Sequence, residues 1–160
     1  MGRFTLTLAK QDFKFSAAHF TLFPGGGAEL LHGHNYLVRV ELEGQALDDH
    51  GLLVSFESVK SAIRDACRRL DERVLLPAAA PIEARRDGDG VEVAFGGRRY
   101  RFPAADVVEL PLANTSIELL AEWLWRELAP VIPTTRVETM SVSVEETDGQ
   151  ACRFSAPLRA

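Results

Sequence analysis

Apolar and polar positions alternate from the start of the chain. Phe4, Leu6 and Leu8 share one parity and Phe13, Phe15 and Ala17 the other, so residues 3 to 18 read as strand with a bulge or bend near Lys10-Gln11. After the loop Pro24-Gly25-Gly26-Gly27, period-two alternation resumes from His34, with Tyr36, Val38, Val40 and Leu42 set against Asn35, Arg39, Glu41 and Glu43. A turn at Asp48-Asp49-His50-Gly51 predicts a hairpin into a short strand, Leu52 to Val54. The period then lengthens. Ser55 caps a helix whose apolar side is Val59, Ile63, Ala66, Cys67 and Leu70. Residues 77 to 111 carry Asp-Gly-Asp-Gly and Gly-Gly breaks between three short alternating segments, which predicts a small antiparallel β meander inserted between two helices. Thr115 and Glu118 stand in capping-box spacing before a second helix with Leu119, Leu120, Trp123, Leu124 and Leu128 inward. Strands near 136 to 146 and 151 to 158 close the chain. The class is α+β: one domain over 1–160, an antiparallel sheet backed by two helices.

Composition narrows the function. At 160 residues and 46% hydrophobic, the chain can bury a core without disulfides or metal staples. Net charge is −5 and the basic residues are scattered apart from pairs such as Arg68-Arg69 and Arg98-Arg99, which argues against a nucleic-acid partner. No apolar run approaches the ~20 residues of a membrane span, and no signal-peptide pattern opens the chain, so the expected location is cytoplasmic. Cys67 and Cys152 lack C-x-x-C spacing and read as small buried hydrophobes.

The candidate chemistry lies in the histidines. Three of the four fall within sixteen residues: His19, His32 and His34. On an extended backbone His32 and His34 face the same way, roughly 6.6 to 6.8 Å apart. His19 ends its strand on that strand's apolar face. If the two strands pair, three imidazoles meet, and three nitrogens with a fourth position open describe a catalytic rather than a structural zinc. Two strand histidines in ordinary polar roles would also explain the spacing. His50, on an acidic turn, reads as solvated.

The segments "FSAAHF", "LHGHNY", "GLLVSFESVKSAI", "LDERVLLP", "NTSIELLAEWLW" and "SVSVEET" come in the order of the 6-pyruvoyl-tetrahydropterin synthase and 6-carboxytetrahydropterin synthase superfamily, which the chain resembles outside the 77–111 insert. The resemblance implies a tunnelling fold (T-fold) with a four-stranded antiparallel sheet, zinc on His19, His32 and His34, and homo-oligomers, trimers or hexamers, with active sites at subunit interfaces. Members making pyruvoyl or carboxy pterins carry a cysteine shortly before H-G-H. This chain has none between His19 and His32, and its Glu29-Leu30-Leu31-His32-Gly33-His34 resembles the glutamate-bearing (type III) paralogues. Those cleave the side chain of 7,8-dihydroneopterin triphosphate to 6-hydroxymethyl-7,8-dihydropterin, on the route to folate or methanopterin-type cofactors. Read locally, Glu29 is a solvated loop residue beside a Gly-rich turn; the resemblance makes it the implied general base. Where the family often has Asp-His after the first helix, this chain has Asp71-Glu72, either a proton-transfer pair or partners of Arg68, Arg69 or Arg73. Glu146, in the E-T of the penultimate strand, matches the pterin anchor, with Glu145 facing the other way. Thr115, Ser116 and Glu118 match the segment lining the pterin pocket, and read equally as a helix cap. The competing expectations are 6-carboxytetrahydropterin or 6-pyruvoyl-tetrahydropterin synthase activity, and a non-catalytic, zinc-stabilised pterin-binding module.

Overall fold

The computed structural model describes residues 2–158. In chain order the elements are β1 (Phe4–Leu8), β2 (Lys14–His19), β3 (His32–Gly44), α1 (Phe56–Leu70), β4 (Arg73–Pro77), β5 (Glu83–Asp87), β6 (Gly90–Phe95), β7 (Arg98–Pro103), β8 (Val107–Leu110), α2 (Ile117–Leu128), β9 (Thr139–Thr147) and β10 (Gln150–Pro157). The long strand β3 organises the rest. Its alternation buries Tyr36, Val38, Val40 and Leu42 on one face. It pairs antiparallel with β2 at its start, with β1 at its end and with β9 along its other side. The bend near Lys10-Gln11 is a turn that separates β1 from β2, closed by the Phe13 amide on the Lys10 carbonyl.

The main sheet has seven strands, in the order β10-β9-β3-β2-β4-β8 with β1 also on β3, where the resemblance implied four. It is mixed, because β4 runs parallel to β2 and β8 parallel to β4. Parallel neighbours need a crossover, and α1 and the inserted segment supply the two. The insert forms its own antiparallel sheet, β5-β6-β7. That meander spans 83–103, while its flanks β4 and β8 belong to the main sheet.

The helices cover the inner face of the main sheet. Val59, Ile63, Ala66, Cys67 and Leu70 of α1 and Leu120, Ala121, Trp123, Leu124 and Leu128 of α2 pack against Phe13, Phe15, Val38, Val40, Leu42, Val142 and Val144. A second cluster, Phe20, Leu76, Val91, Val93, Phe95 and Val107, lies between the insert and the main sheet. Among the described residues no helix is long and apolar enough to cross a membrane.

Four local expectations are corrected. Leu52–Val54 is not a strand: Asp48 Oδ1 accepts the amides of His50 (3.0 Å) and Leu52 (2.9 Å), so the turn satisfies its own donors and no ladder forms. Ser116, not Thr115, caps α2, its Oγ accepting the Leu119 amide at 3.5 Å, so the Thr115–Glu118 box is absent. Leu119 is consequently turned to the rim and only half-buried. Cys67 is buried but Cys152 is only half-buried, and both thiols are free.

At the end of β3, Gly44 meets the Arg136 backbone. A Cβ there would lie 2.1 Å from the Arg136 carbonyl oxygen and 2.8 Å from Leu53 Cδ1. Gly44→Ala is therefore expected to cost about 1–3 kcal/mol of stability through overpacking, read as a lowered Tm in calorimetry.

Candidate metal and substrate site

The β2–β3 register sets His19 directly opposite His32 and His34 opposite Ala17. All three side chains rise on the face that carries Phe15, Ala17 and Tyr36. Ring centroids lie 4.7 Å apart for His19 and His32, 5.3 Å for His19 and His34, and 4.8 Å for His32 and His34. One nitrogen of each lies within 4.8 Å of the others.

The remaining nitrogens orient the rings. His19 Nδ1 lies 2.9 Å from the Thr115 carbonyl oxygen and His32 Nδ1 lies 2.7 Å from that of Leu30. A carbonyl only accepts, which assigns the proton to Nδ1 and the lone pair to Nε2 in both rings. His19 Nε2 is buried and has no partner among the described residues. A buried acceptor left bare beside two further imidazoles is the arrangement a metal ion fills, while the Thr115 and Leu30 carbonyls hold two of the rings. The donor set of three neutral nitrogens suits zinc chemistry.

Burial, reinforced by His32 and His34, pushes the His19 pKa down to about 4 from 6.5. In the metal-free protein the unfolded chain therefore binds a proton, as pH falls through 6.5, that the folded chain takes up only near 4. The His19 contribution to stability is complete above pH 6.5 and is lost on acidification toward pH 4, by about 3 kcal/mol. Urea unfolding of the metal-free protein at pH 7 and pH 4.5 measures it, and His19→Ala should lack this increment.

Two carboxylates border the imidazoles. Glu29 Oε2 accepts the Thr21 amide at 3.0 Å, while the Glu29 amide donates to the Thr21 carbonyl at 2.9 Å. Burial opposes ionisation of Glu29, but the Thr21 hydrogen bonds and the charges of His32 and His19 outweigh it and hold the carboxyl below the ordinary range. Glu146 Oε2 lies 4.0 Å from His34 Nε2. Glu145, on the opposite parity, instead accepts the Gly149 amide at 3.1 Å.

The other predicted residues divide. Thr115 is fully buried, its carbonyl on His19 and its Oγ1 donating to the Phe20 carbonyl at 2.8 Å. Ser116 Oγ is occupied by the helix cap, and Glu118 is exposed in the first turn. Asp71 is engaged by the backbone of β2, whereas Glu72 shares a depression with His34. Asp71 Oδ1 accepts the Ser16 amide at 2.7 Å. Glu72, at φ +55°, donates its amide to the Ser16 carbonyl, and it is exposed in a depression that His34, Ala17, Gly33 and Asn35 also line. They do not pair with the nearby arginines: Arg68 pairs with Asp65 and Arg69 with Glu127, while Arg73 Nη1 donates to the backbone carbonyl of Glu72.

Two residues escape sequence reasoning. Tyr36 stands edge-on to His19 and His34, at centroid distances of 5.9 and 5.6 Å, with a buried hydroxyl. Its parity in H-x-H-x-Y was the available signal. Asn114 clamps the chain beyond His19, Oδ1 accepting the Leu22 amide and Nδ2 donating to the Leu22 carbonyl, both at 3.0 Å. That contact spans 92 residues, and no local pattern announces it.

The family model for 6-pyruvoyl tetrahydropterin synthase matches residues 7–157. The chain belongs to this family. The 6-pyruvoyl tetrahydropterin synthase family consists of pterin-modifying enzymes, and the fold seen here is its tunnelling fold. Among curated relatives, a Halobacterium salinarum protein named for 6-carboxy-5,6,7,8-tetrahydropterin synthase is 32% identical over 149 residues, covering 91% of this chain and 85% of that protein. A Methanocaldococcus jannaschii protein of the same name is 28% identical over 144 residues, covering 87% and 88%. The solved 6-pyruvoyl tetrahydropterin synthase of Plasmodium vivax superposes with a TM-score of 0.87 at 28% identity, covering 98% of this chain and 99% of that one. That enzyme has also been solved with alanine or cysteine in place of a catalytic glutamate.

Proposed function

We propose that the protein is a zinc-dependent lyase that cleaves the C1′–C2′ bond of a 7,8-dihydroneopterin, phosphorylated or free, to give 6-hydroxymethyl-7,8-dihydropterin for a folate or methanopterin-type cofactor. The observation that carries this reading is Glu29, held by Thr21 in the hairpin between His19 and His32, in a segment without a cysteine. The catalytic glutamate of the Plasmodium vivax relative supports it.

Glu29 accepts the proton of the 2′-hydroxyl. The oxygen's electron pair becomes a carbonyl as the C1′–C2′ bond breaks, and the bonding pair passes to C1′ and into the adjoining ring imine. A proton returned to C1′ completes 6-hydroxymethyl-7,8-dihydropterin and releases a two-carbon aldehyde. A zinc ion on His19, His32 and His34, when bound, supplies Lewis-acid stabilisation of negative charge developing on oxygen. Glu146 accepts the N–H edge of the pterin in two parallel hydrogen bonds, and Thr115 and Asn114 hold the wall from which the ring is read. Ser116 and Glu118 lie at the rim of that wall. Glu72, in the depression that His34 also lines, is placed to pass a proton to or from the substrate, and Asp71, tied to the Ser16 amide, holds the turn that carries it. The main sheet ends in the edges β8 and β10, which suits assembly into a homo-oligomer, and two free thiols suit a reducing, cytoplasmic setting.

The names of the archaeal relatives favour a second reading, 6-carboxytetrahydropterin synthase activity. Incubating zinc-loaded protein with 7,8-dihydroneopterin triphosphate, its monophosphate and the free form, with products identified by mass spectrometry, separates the two. 6-Hydroxymethyl-7,8-dihydropterin is the expected product; a carboxy or pyruvoyl pterin would overturn the lyase reading. Tight binding without product would leave a non-catalytic pterin module.

A further inference from the structure

Residues 21–29 form a narrow hairpin. The Glu29 amide donates to the Thr21 carbonyl while the Thr21 amide donates to the Glu29 carboxylate, Leu22 bridges Ala28, and the Phe23 amide donates to the Gly27 carbonyl. Its tip, Pro24–Gly27, is exposed, and Gly25 and Gly26 take positive φ of 85° and 86°. Three successive glycines hold no shape of their own. Thr21 ties Glu29 to the hairpin, and contacts from outside fix where the hairpin as a whole stands.

Asn114 fixes one side, at Leu22. The inserted sheet covers the other. The Phe95 ring stacks on Phe20, the residue after His19, with centroids 3.4 Å apart and planes 11° from parallel. Tyr100 stacks behind Phe95 at 5.2 Å and Phe102 behind Tyr100 at 5.8 Å. Leu22 and Ala28 of the hairpin, and Leu31 just after it, pack into the same cluster. The turn between β6 and β7 sits on Ala28 so closely that a Cβ on Gly96 would come within 3.1 Å of the Ala28 Cβ. Arg98 then extends Nη1 to the Glu29 carbonyl oxygen at 3.5 Å. Arg85, Arg86 and Arg101 of the same sheet pair with Glu92, Glu109 and Asp89, whereas Arg98 has no carboxylate partner among the described residues.

We propose that the inserted sheet is the positioning element of the base-bearing hairpin, with Phe95 and Arg98 as its positioning residues. The inference rests on the reading of Glu29 as the base. Phe95 fixes the hairpin's depth through Phe20, and Arg98 fixes the backbone of Glu29 itself. The dependence is mutual: a three-stranded sheet is marginal alone, and the inner face of this one, Val91, Val93 and Phe95, shares its cluster with Phe20, Leu76 and Val107 from outside the insert.

The test compares Arg98→Ala, Arg98→Lys, Phe95→Ala and, as control, Arg85→Ala on the exposed face of the insert. Arg98→Ala is expected to lower kcat about ten- to hundredfold with KM and bound zinc unchanged. Arg98→Lys should recover part of the loss, and Arg85→Ala should match the parent. Amide hydrogen exchange at residues 21–29 should accelerate in Arg98→Ala and more in Phe95→Ala. Parental exchange in both variants would overturn the proposal, as would a raised KM at unchanged kcat, which would make Arg98 a substrate contact. Exchange is read without turnover, so an inactive parent would defeat the reading of Glu29 and leave the brace to be decided by the exchange data.

Discussion

Glu29→Gln is expected to lower turnover of the dihydroneopterin substrate by about 10²- to 10⁴-fold, the usual contribution of a positioned general base. The glutamine keeps the volume of the side chain, and its amide oxygen can still accept the Thr21 amide, so the hairpin should retain its shape. Bound zinc and pterin affinity should therefore stay near parental values, because neither the imidazoles nor Glu146 is touched. Steady-state rates, metal content by atomic absorption and pterin binding by fluorescence separate these effects. Unchanged turnover would exclude Glu29 as the base. Loss of zinc together with activity would mean that the carboxylate holds the site together rather than moving a proton.

How much of this was legible in the sequence depended on how local each contact is. The alternation from His34 to Leu42 is a local property, and it located the longest strand and the face on which Tyr36 and the imidazoles stand. The apolar side of α1 was legible for the same reason. Strands β4 and β8 were not: "RVLLP" and "VVEL" are short apolar runs beside prolines and alanines, and only pairing with distant partners makes them strands. Leu52–Val54 failed in the opposite sense, since an apolar run became irregular once Asp48 had taken its amides. The cap of α2 moved from Thr115 to Ser116 because Thr115 is committed to Phe20, 95 residues away.

The candidate site divides the same way. H-x-H brings two imidazoles to one face by strand geometry alone, and His19 joins them only through the β2–β3 register. Glu146 reached the site because its parity in β9 was readable. Asp71 and Glu72 could not be placed from the sequence, because adjacency to a helix end says nothing about where the following turn carries a side chain. There the left-handed backbone at Glu72 and its ladder contact with Ser16 decide the matter.

His32→Ala is expected to abolish stoichiometric zinc binding and, with it, at least ~10³-fold of turnover. His32 is half-exposed, so its loss opens no large cavity in the core. The two remaining imidazoles keep their places, His19 by the Thr115 carbonyl and His34 by its position on β3, yet two nitrogens cannot close a catalytic zinc site that needs three protein ligands. Thermal unfolding supplies a readout independent of catalysis. Zinc at a thousandfold excess over its dissociation constant should stabilise the parent by about 4 kcal/mol and leave the Tm of His32→Ala nearly unmoved. Equal zinc-dependent shifts in both proteins, or one zinc per chain retained by His32→Ala after dialysis, would show that the ion sits elsewhere. The bare Nε2 of buried His19 would then need another partner. If the shift disappears, the same three imidazoles account for that bare nitrogen, the pH dependence of the metal-free protein and the electrophile the cleavage requires.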